Sequence, residues 1–257
     1  MHDFEVIRED TPVLIAKKRN EGFAEFPGMP VIYHKDFDLN EFIGEELAGI
    51  RGVRSVHYYP VLFDSKENTF KIRNFFDKCE NIRVGSFDFK KPGIQYMTGP
   101  NIPIYDDFGT FDDLLDMCPN DKNREELLNE LLEVYGLDIY CGQMDRPNNL
   151  YYEFHPNGEI HIGKMFDYEQ SFEAMFGEHY VADFHIFRTI EDYQKFIIKY
   201  PQFEGILKSY LDVDLEKVIL RMARSRKFDL SRVDMDGYRE FDEVTHKKLE
   251  KILRWFT

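Results

Sequence analysis

A two-lobed α+β architecture follows from three features of this 257-residue sequence. Short β-type runs crowd residues 1–100, with one helical segment among them. Helical spacing dominates residues 101–257, and a strong hairpin signal lies within that second part. The expected organisation is therefore a β-rich N-terminal lobe with one helix over 1–100 and a mainly helical C-terminal lobe carrying the hairpin over 101–257.

The β-type runs are 13–16, 30–33, 56–62, 70–72, 82–84 and 93–97, rich in Val, Ile, Tyr and Phe. The helix among them is predicted over 39–50. Leu39, Phe42, Ile43, Leu47 and Ile50 share one face, and Asp38 followed by Glu41 three residues later is a start signal. A connector at 101–111, preceded by Gly99 and Pro100 and containing Pro103 and Gly109, reads as a hinge. Beyond it, 121–135 carries Leu127, Leu128, Leu131, Leu132 and Val134, with Gly136 as the expected stop. The hairpin is predicted from strands at 150–154 and 159–165 around the turn His155-Pro156-Asn157-Gly158. Helices at 189–198, 202–211, 215–225 and 241–256 close the chain, with no internal repeat.

Composition narrows the function. A net charge of -15, from 33 basic and 48 acidic residues, opposes binding to nucleic acid or to an anionic membrane surface. The basic run from Arg221 to Lys227 is short and reads as a solvated helix end. Cys79, Cys118 and Cys141 show neither disulfide nor zinc spacing, and no HxH or HExxH pattern occurs. No stretch reaches the roughly 18 apolar residues of a membrane span, and no apolar signal core opens the chain, so a cytoplasmic location is expected.

The chemistry-bearing segment is Asp145-Arg146-Pro147-Asn148-Asn149, followed after the hairpin by Phe166-Asp167-Tyr168-Glu169. A carboxylate, an amide oxygen and a second carboxylate are the groups phosphoryl transfer uses to handle an acceptor hydroxyl and to ligate magnesium. The hairpin supplies convergence, because its first strand starts after Asn149 and its second ends before Asp167.

This run, the hairpin and the later Asp resemble the catalytic and metal-binding loops of HipA-like and phosphatidylinositol-kinase-like bacterial kinases. The Phe-Asp-Tyr-Glu run is also similar to that of aminoglycoside and choline phosphotransferases. The resemblance implies a bilobal protein-kinase-like fold and ATP- and magnesium-dependent phosphoryl transfer, with a protein serine or threonine as the expected acceptor. It makes Asp145 the catalytic carboxylate and Asn149 and Asp167 the metal ligands. In these families the Asn follows the Asp by five positions. Here position 150 is Leu, so the loop is one residue short, and both Asn148 and Asn149 are open as the ligand. That departure keeps a pseudokinase, a nucleotide-binding or protein-interaction module, as the alternative. A small-molecule or lipid-headgroup kinase is a third reading.

In the first lobe, Val31-Ile-Tyr-His-Lys35 resembles the strand whose Lys contacts ATP phosphates, and the run from Asn40 to Ala48 resembles the helix that supplies its Glu partner. The resemblance selects Glu41. Periodicity selects Glu46, which lies within the apolar face, whereas Glu41 lies nearly opposite its centre. A glycine-rich phosphate loop is not evident; 17–22 is a candidate turn with one Gly. Residues 95–101 could offer backbone groups to an adenine ring.

Overall fold

The computed structural model describes residues 4–7, 13–17, 23–24, 32–64, 69–72, 75–76, 82–87, 90–98, 111–143, 146, 149–169, 171–172 and 190–254. Its contacts divide the chain into two compact units, each discontinuous in sequence. One unit comprises 1–46, 56–89 and 217–233; the other comprises 47–55, 90–216 and 234–257.

The first unit is built on a seven-stranded sheet of β1 (Phe4–Ile7), β2 (Val13–Lys17), β3 (Phe23–Ala24), β4 (Ile32–Asp36), β5 (Tyr58–Asp64), β6 (Thr69–Ile72) and β7 (Ile82–Phe87), in the order β1-β2-β6-β5-β7-β4-β3. Every neighbouring pair is antiparallel. The β-type runs at 13–16, 30–33, 56–62, 70–72 and 82–84 thus all give strands. β1 and β3 were not foreseen, being a mixed polar run and a two-residue edge.

Helix α1 (Leu39–Arg51) starts where the sequence signalled, with Asp38 Oδ1 accepting from the Asn40 N–H at 2.8 Å. Phe42 and Ile43 on this helix are fully buried. Phe42 packs at 4.8 Å from Phe76, which meets Phe228 at 4.8 Å, and Phe37 lies 5.8 to 6.2 Å from all three. Phe228 belongs to this unit through the end of a late helix, α6 (Leu215–Arg226). Arg226 anchors that segment: one nitrogen bonds Glu45 at 2.7 Å, another donates to the Tyr58 carbonyl at 2.5 Å, and the guanidinium lies over the Phe42 ring.

The second unit is mainly helical. Besides α2 (Phe111–Asp116) and α4 (Ile190–Lys199) it holds α3 (Asp121–Cys141), α5 (Gln202–Tyr210) and α7 (Met235–Arg254), with a three-stranded sheet in the order β10 (Ile160–Met165), β9 (Leu150–Phe154), β8 (Gln95–Thr98). β8, counted with the first lobe in the sequence reading, hydrogen-bonds to β9 in this unit. The hinge expected at 101–111 lies outside the described residues except for Phe111, which opens α2.

Helix α3 forms the centre, with Leu127, Leu131, Leu132 and Leu137 all fully buried. It runs through Gly136, contrary to the expected stop. A side chain there would meet Ile206 at 2.6 Å and Tyr210 at 2.9 Å, so Gly136 permits the close approach of α5. The true end is Gly142, left-handed at φ 68°, whose N–H bonds the Asp138 carbonyl. The last helix starts at Met235, earlier than the expected 241. Among the described residues no helix is long and apolar enough to cross a membrane.

Helix α7 also buries Lys248, whose amine donates to the Ile139 carbonyl at 2.6 Å. That carbonyl is among the last of α3 and needs an outside donor. Burial pulls the amine down to about 7 from its ordinary 10.5. Across the window between those values the unfolded chain holds a proton that the native chain has released, so native stability rises with pH there; below about 7 the charge-burial cost is complete. Compared with Lys248→Met, the wild type is expected to gain on the order of 4 kcal/mol between pH 7 and pH 10. Denaturant unfolding of both proteins across that range tests this, and a constant difference would refute it.

Candidate functional site

The hairpin of β9 and β10 is tied together at its open end. Met165 faces Leu150 across the ladder, and one step further the Phe166 N–H donates to the Asn149 carbonyl at 3.2 Å. Asp167 follows directly, so two residues 18 positions apart in sequence stand on adjoining strand ends. A register irregularity between Ile162 and Met165 accompanies this, and at Gly163 a side chain would collide with the Tyr151 carbonyl at 2.8 Å. The closed end is the predicted turn, with Gly158 left-handed at φ 87°.

Arg146 holds the open end in place and is fully buried. Its Nε donates to both carboxylate oxygens of Asp138, at 2.9 and 3.1 Å, and Nη2 sits 2.9 Å from Oδ1. Nη1 bridges the two strand ends, donating to the Asn149 carbonyl at 3.1 Å and the Phe166 carbonyl at 2.8 Å. The guanidinium also lies over the Tyr168 ring, 5.2 Å from its centroid. Asp138 comes from the last turn of α3, so the helix end and both flanks of the hairpin meet on one cation. Burial raises the Asp138 carboxyl to about 6, against the opposing pull of Arg146.

Asn149 is buried, and its N–H bonds the Arg146 carbonyl at 2.9 Å. Asp167 is partly exposed and has φ 62°, in the left-handed region where a non-glycine residue is strained by about 1–2 kcal/mol. Gln143, itself buried, donates from Nε2 to the Asp167 carbonyl at 2.5 Å. The chain beyond turns back, so that the Phe172 N–H reaches the Cys141 carbonyl at 2.9 Å.

Asp145, the expected catalytic carboxylate, lies outside the described residues, immediately before Arg146 in the chain. Lys35 is on β4 with its backbone opposite Val84, and its side chain lies outside the described residues. Glu41 is fully buried in the first turn of α1. The periodicity argument placed it away from the core and is corrected. Residues 41–44 are all buried, a wider arc than the apolar residues alone define, while Ile50, assigned to that face, is 44% exposed. Glu46 instead pairs with Arg221 at 2.6 Å. The turn at 17–22 is outside the described residues beyond Lys17, as are 99–101.

Sequence reasoning passed over Asp138, Gln143 and the structural use of Arg146. The available signal was Asp138 itself: it falls three residues after Tyr135 and seven after Leu131 on the apolar stripe of α3, where a charge needs a partner. Among the described residues no group of three or more His, Cys, Asp or Glu side chains is gathered to hold a metal ion.

Removing one member of the buried pair leaves the other uncompensated. Asp138→Asn and Arg146→Met are each expected to lower stability by about 3–5 kcal/mol, and the double variant to lose less than the sum of the two. Urea midpoints of the four proteins measure this. Additive losses would show that the two charges do not depend on each other.

No protein-family model matches the chain. No curated protein matches it either. Among solved structures it is similar to the Helicobacter pylori proinflammatory kinase CtkA, with 13% identity, a TM-score of 0.42 and coverage of 92% of this chain and 91% of that one. It is also similar to a chain of the Shewanella oneidensis MR-1 toxin–antitoxin complex of HipA, HipB and operator DNA. There the identity is 13% and the TM-score 0.48, over 96% of this chain and 64% of that one, so this chain spans less than two thirds of its length.

Proposed function

We propose that this chain is an ATP- and magnesium-dependent phosphotransferase of the HipA-like kind, acting on a hydroxyl, with a protein serine or threonine as acceptor. The observation that carries the reading is the joining of Asn149 and Phe166, the residue directly before Asp167, at the open end of one hairpin by a buried arginine. In this reading the sheet unit and the helical unit are the two lobes of the kinase-like fold.

An amide oxygen and a carboxylate oxygen are hard donors of the type magnesium takes, and one or two such ligands beside substrate phosphates are its usual protein share. Bound there, the ion would neutralise charge on the phosphates. Asn149 and Asp167 hold it, and Asp145 orients the acceptor hydroxyl and takes its proton. Lys35 steadies the phosphates. Glu41 supports it: the resemblance gives this acid to Lys35 as its partner, Glu41 is fully buried, and Glu46 is engaged by Arg221. The net charge of -15 argues against a lipid headgroup at an anionic membrane.

A second reading, a pseudokinase that binds nucleotide without transfer, is favoured by the four-position spacing from Asp145 to Asn149. One experiment separates the two. The purified protein is given labelled ATP, magnesium and a Ser/Thr-rich protein acceptor beside Asp145→Ala and Asp167→Ala, with phosphate incorporation and the magnesium-dependent melting shift with ATP both measured. The enzyme reading expects transfer that falls at least about 100-fold in each variant. A melting shift without transfer leaves the pseudokinase; neither signal refutes both.

A further inference from the structure

Asp167 is held in its left-handed conformation from both sides, and one small side chain takes part in each hold. Before it, the Met165 N–H donates to the Arg54 carbonyl at 3.0 Å, the Ser55 hydroxyl donates to the Met165 carbonyl at 3.2 Å, and Ser55 and Met165 form a parallel bridge. After it, Tyr168 is fully buried and its hydroxyl donates to Ser55 Oγ at 3.3 Å. The Ser55 oxygen therefore touches the residue two before Asp167 and the residue one after it.

Ser55 is itself on a fixed support. Arg51 bonds Glu133 at 3.3 Å and Ser209 at 2.6 Å, and Arg54 bonds Glu130 at 2.7 Å with Glu153 at 3.6 Å. The Val53 N–H closes onto the Ala48 carbonyl at 2.9 Å. Segment 51–55 is thus bolted to α3, α5 and β9 and presents one hydroxyl to the strained loop. Tyr168 is also the ring under the Arg146 guanidinium, so its orientation is shared between the two holds.

We propose that Ser55 and Tyr168 are positioning residues that fix Asp167 for ion binding, an inference that rests on the phosphotransferase reading. The two hydroxyls act on the Asp167 carboxylate indirectly: by holding the Met165 carbonyl before it and the Tyr168 side chain after it, the pair sets how the carboxylate is aimed, and loss of outer-shell support weakens metal binding by about 10- to 100-fold. The role differs from packing, because it moves the magnesium requirement rather than overall stability.

The test compares wild type with Ser55→Ala, Tyr168→Phe, the double variant and Ser55→Thr. Magnesium is titrated against phosphate transfer and against the melting shift with ATP, and melting without ligand is recorded. Ser55→Ala and Tyr168→Phe are each expected to raise half-saturating magnesium by about 10-fold. The KM for ATP at saturating magnesium should stay unchanged, and melting without ligand should fall by no more than about 3 °C. The double variant should be no worse than Ser55→Ala, since both changes cut the same bond, and Ser55→Thr should stay near wild type. An unshifted magnesium requirement in Tyr168→Phe and Ser55→Ala, or losses that follow melting temperature alone, overturns the proposal while leaving the phosphotransferase reading intact. A wild type with neither transfer nor magnesium-dependent ATP binding overturns both.

Discussion

A guanidinium removed from water holds the helical unit's candidate site together. Desolvating a cation costs several kcal/mol, and ion pairing together with hydrogen bonds offsets that cost. Arg146 draws on the Asp138 carboxylate, two backbone carbonyls and the Tyr168 ring, while its Nη2 has the ion pair with Asp138 but no hydrogen bond. Because the two carbonyls belong to opposite strand ends, satisfying the arginine also fixes the distance between Asn149 and Phe166. Because Asp138 lies in the last turn of α3, the hairpin's open end is indexed to a helix whose own position is set by a buried leucine face. Local geometry at Asp167 is thus a consequence of core packing two elements away.

The sheet unit solves an analogous problem with Arg226. It draws Glu45 from α1, the Tyr58 carbonyl from β5 and the Phe42 ring onto one cation, and so recruits a segment from late in the sequence. The Phe76 N–H completes the attachment by bonding the Arg226 carbonyl at 3.0 Å. Among the described residues each unit thus holds a buried arginine that gathers partners from more than one element, and in each the aromatic surroundings lower the local dielectric and so strengthen those bonds.

Element types were legible because they depend on local pattern. Val- and Tyr-rich runs gave strands, Asn157-Gly158 gave the hairpin, and Asp38 gave the start of α1. Boundaries set by tertiary contact were not. Gly136 looks like a stop in sequence, yet it is the point where α5 presses closest, and helical propensity yields to that packing. Glu41 was misplaced by periodicity for a similar reason: the angular argument assumes only apolar residues face inward, whereas the buried arc of α1 includes a carboxylate. Of the candidate site, the hairpin convergence was legible, since antiparallel pairing dictates it. Asp138 and Gln143 were not, because their partners are chosen by how the α3 terminus meets the loop, a contact that no spacing rule encodes. The late segment at 217–233 joins the sheet unit through Arg226 and Phe228, which in sequence are indistinguishable from an ordinary helix end.

The short loop before Asn149 acquires a physical meaning in this frame. The Asn149 N–H bonds the Arg146 carbonyl directly before β9, and Arg146 itself is fixed by Asp138. Arg146, Asn149 and Phe166 are therefore tied to one another and, through Asp138, to the end of α3, while Gln143 holds the Asp167 carbonyl. On the phosphotransferase reading, the ion ligands Asn149 and Asp167 stand within or directly beside this tied group, whereas Asp145, the residue that would handle the acceptor, precedes it in the chain. On that reading the four-position spacing bears on acceptor handling and leaves the tie between the two ligand-bearing strand ends intact. Binding and transfer then need to be measured apart, since either one alone would misjudge the site.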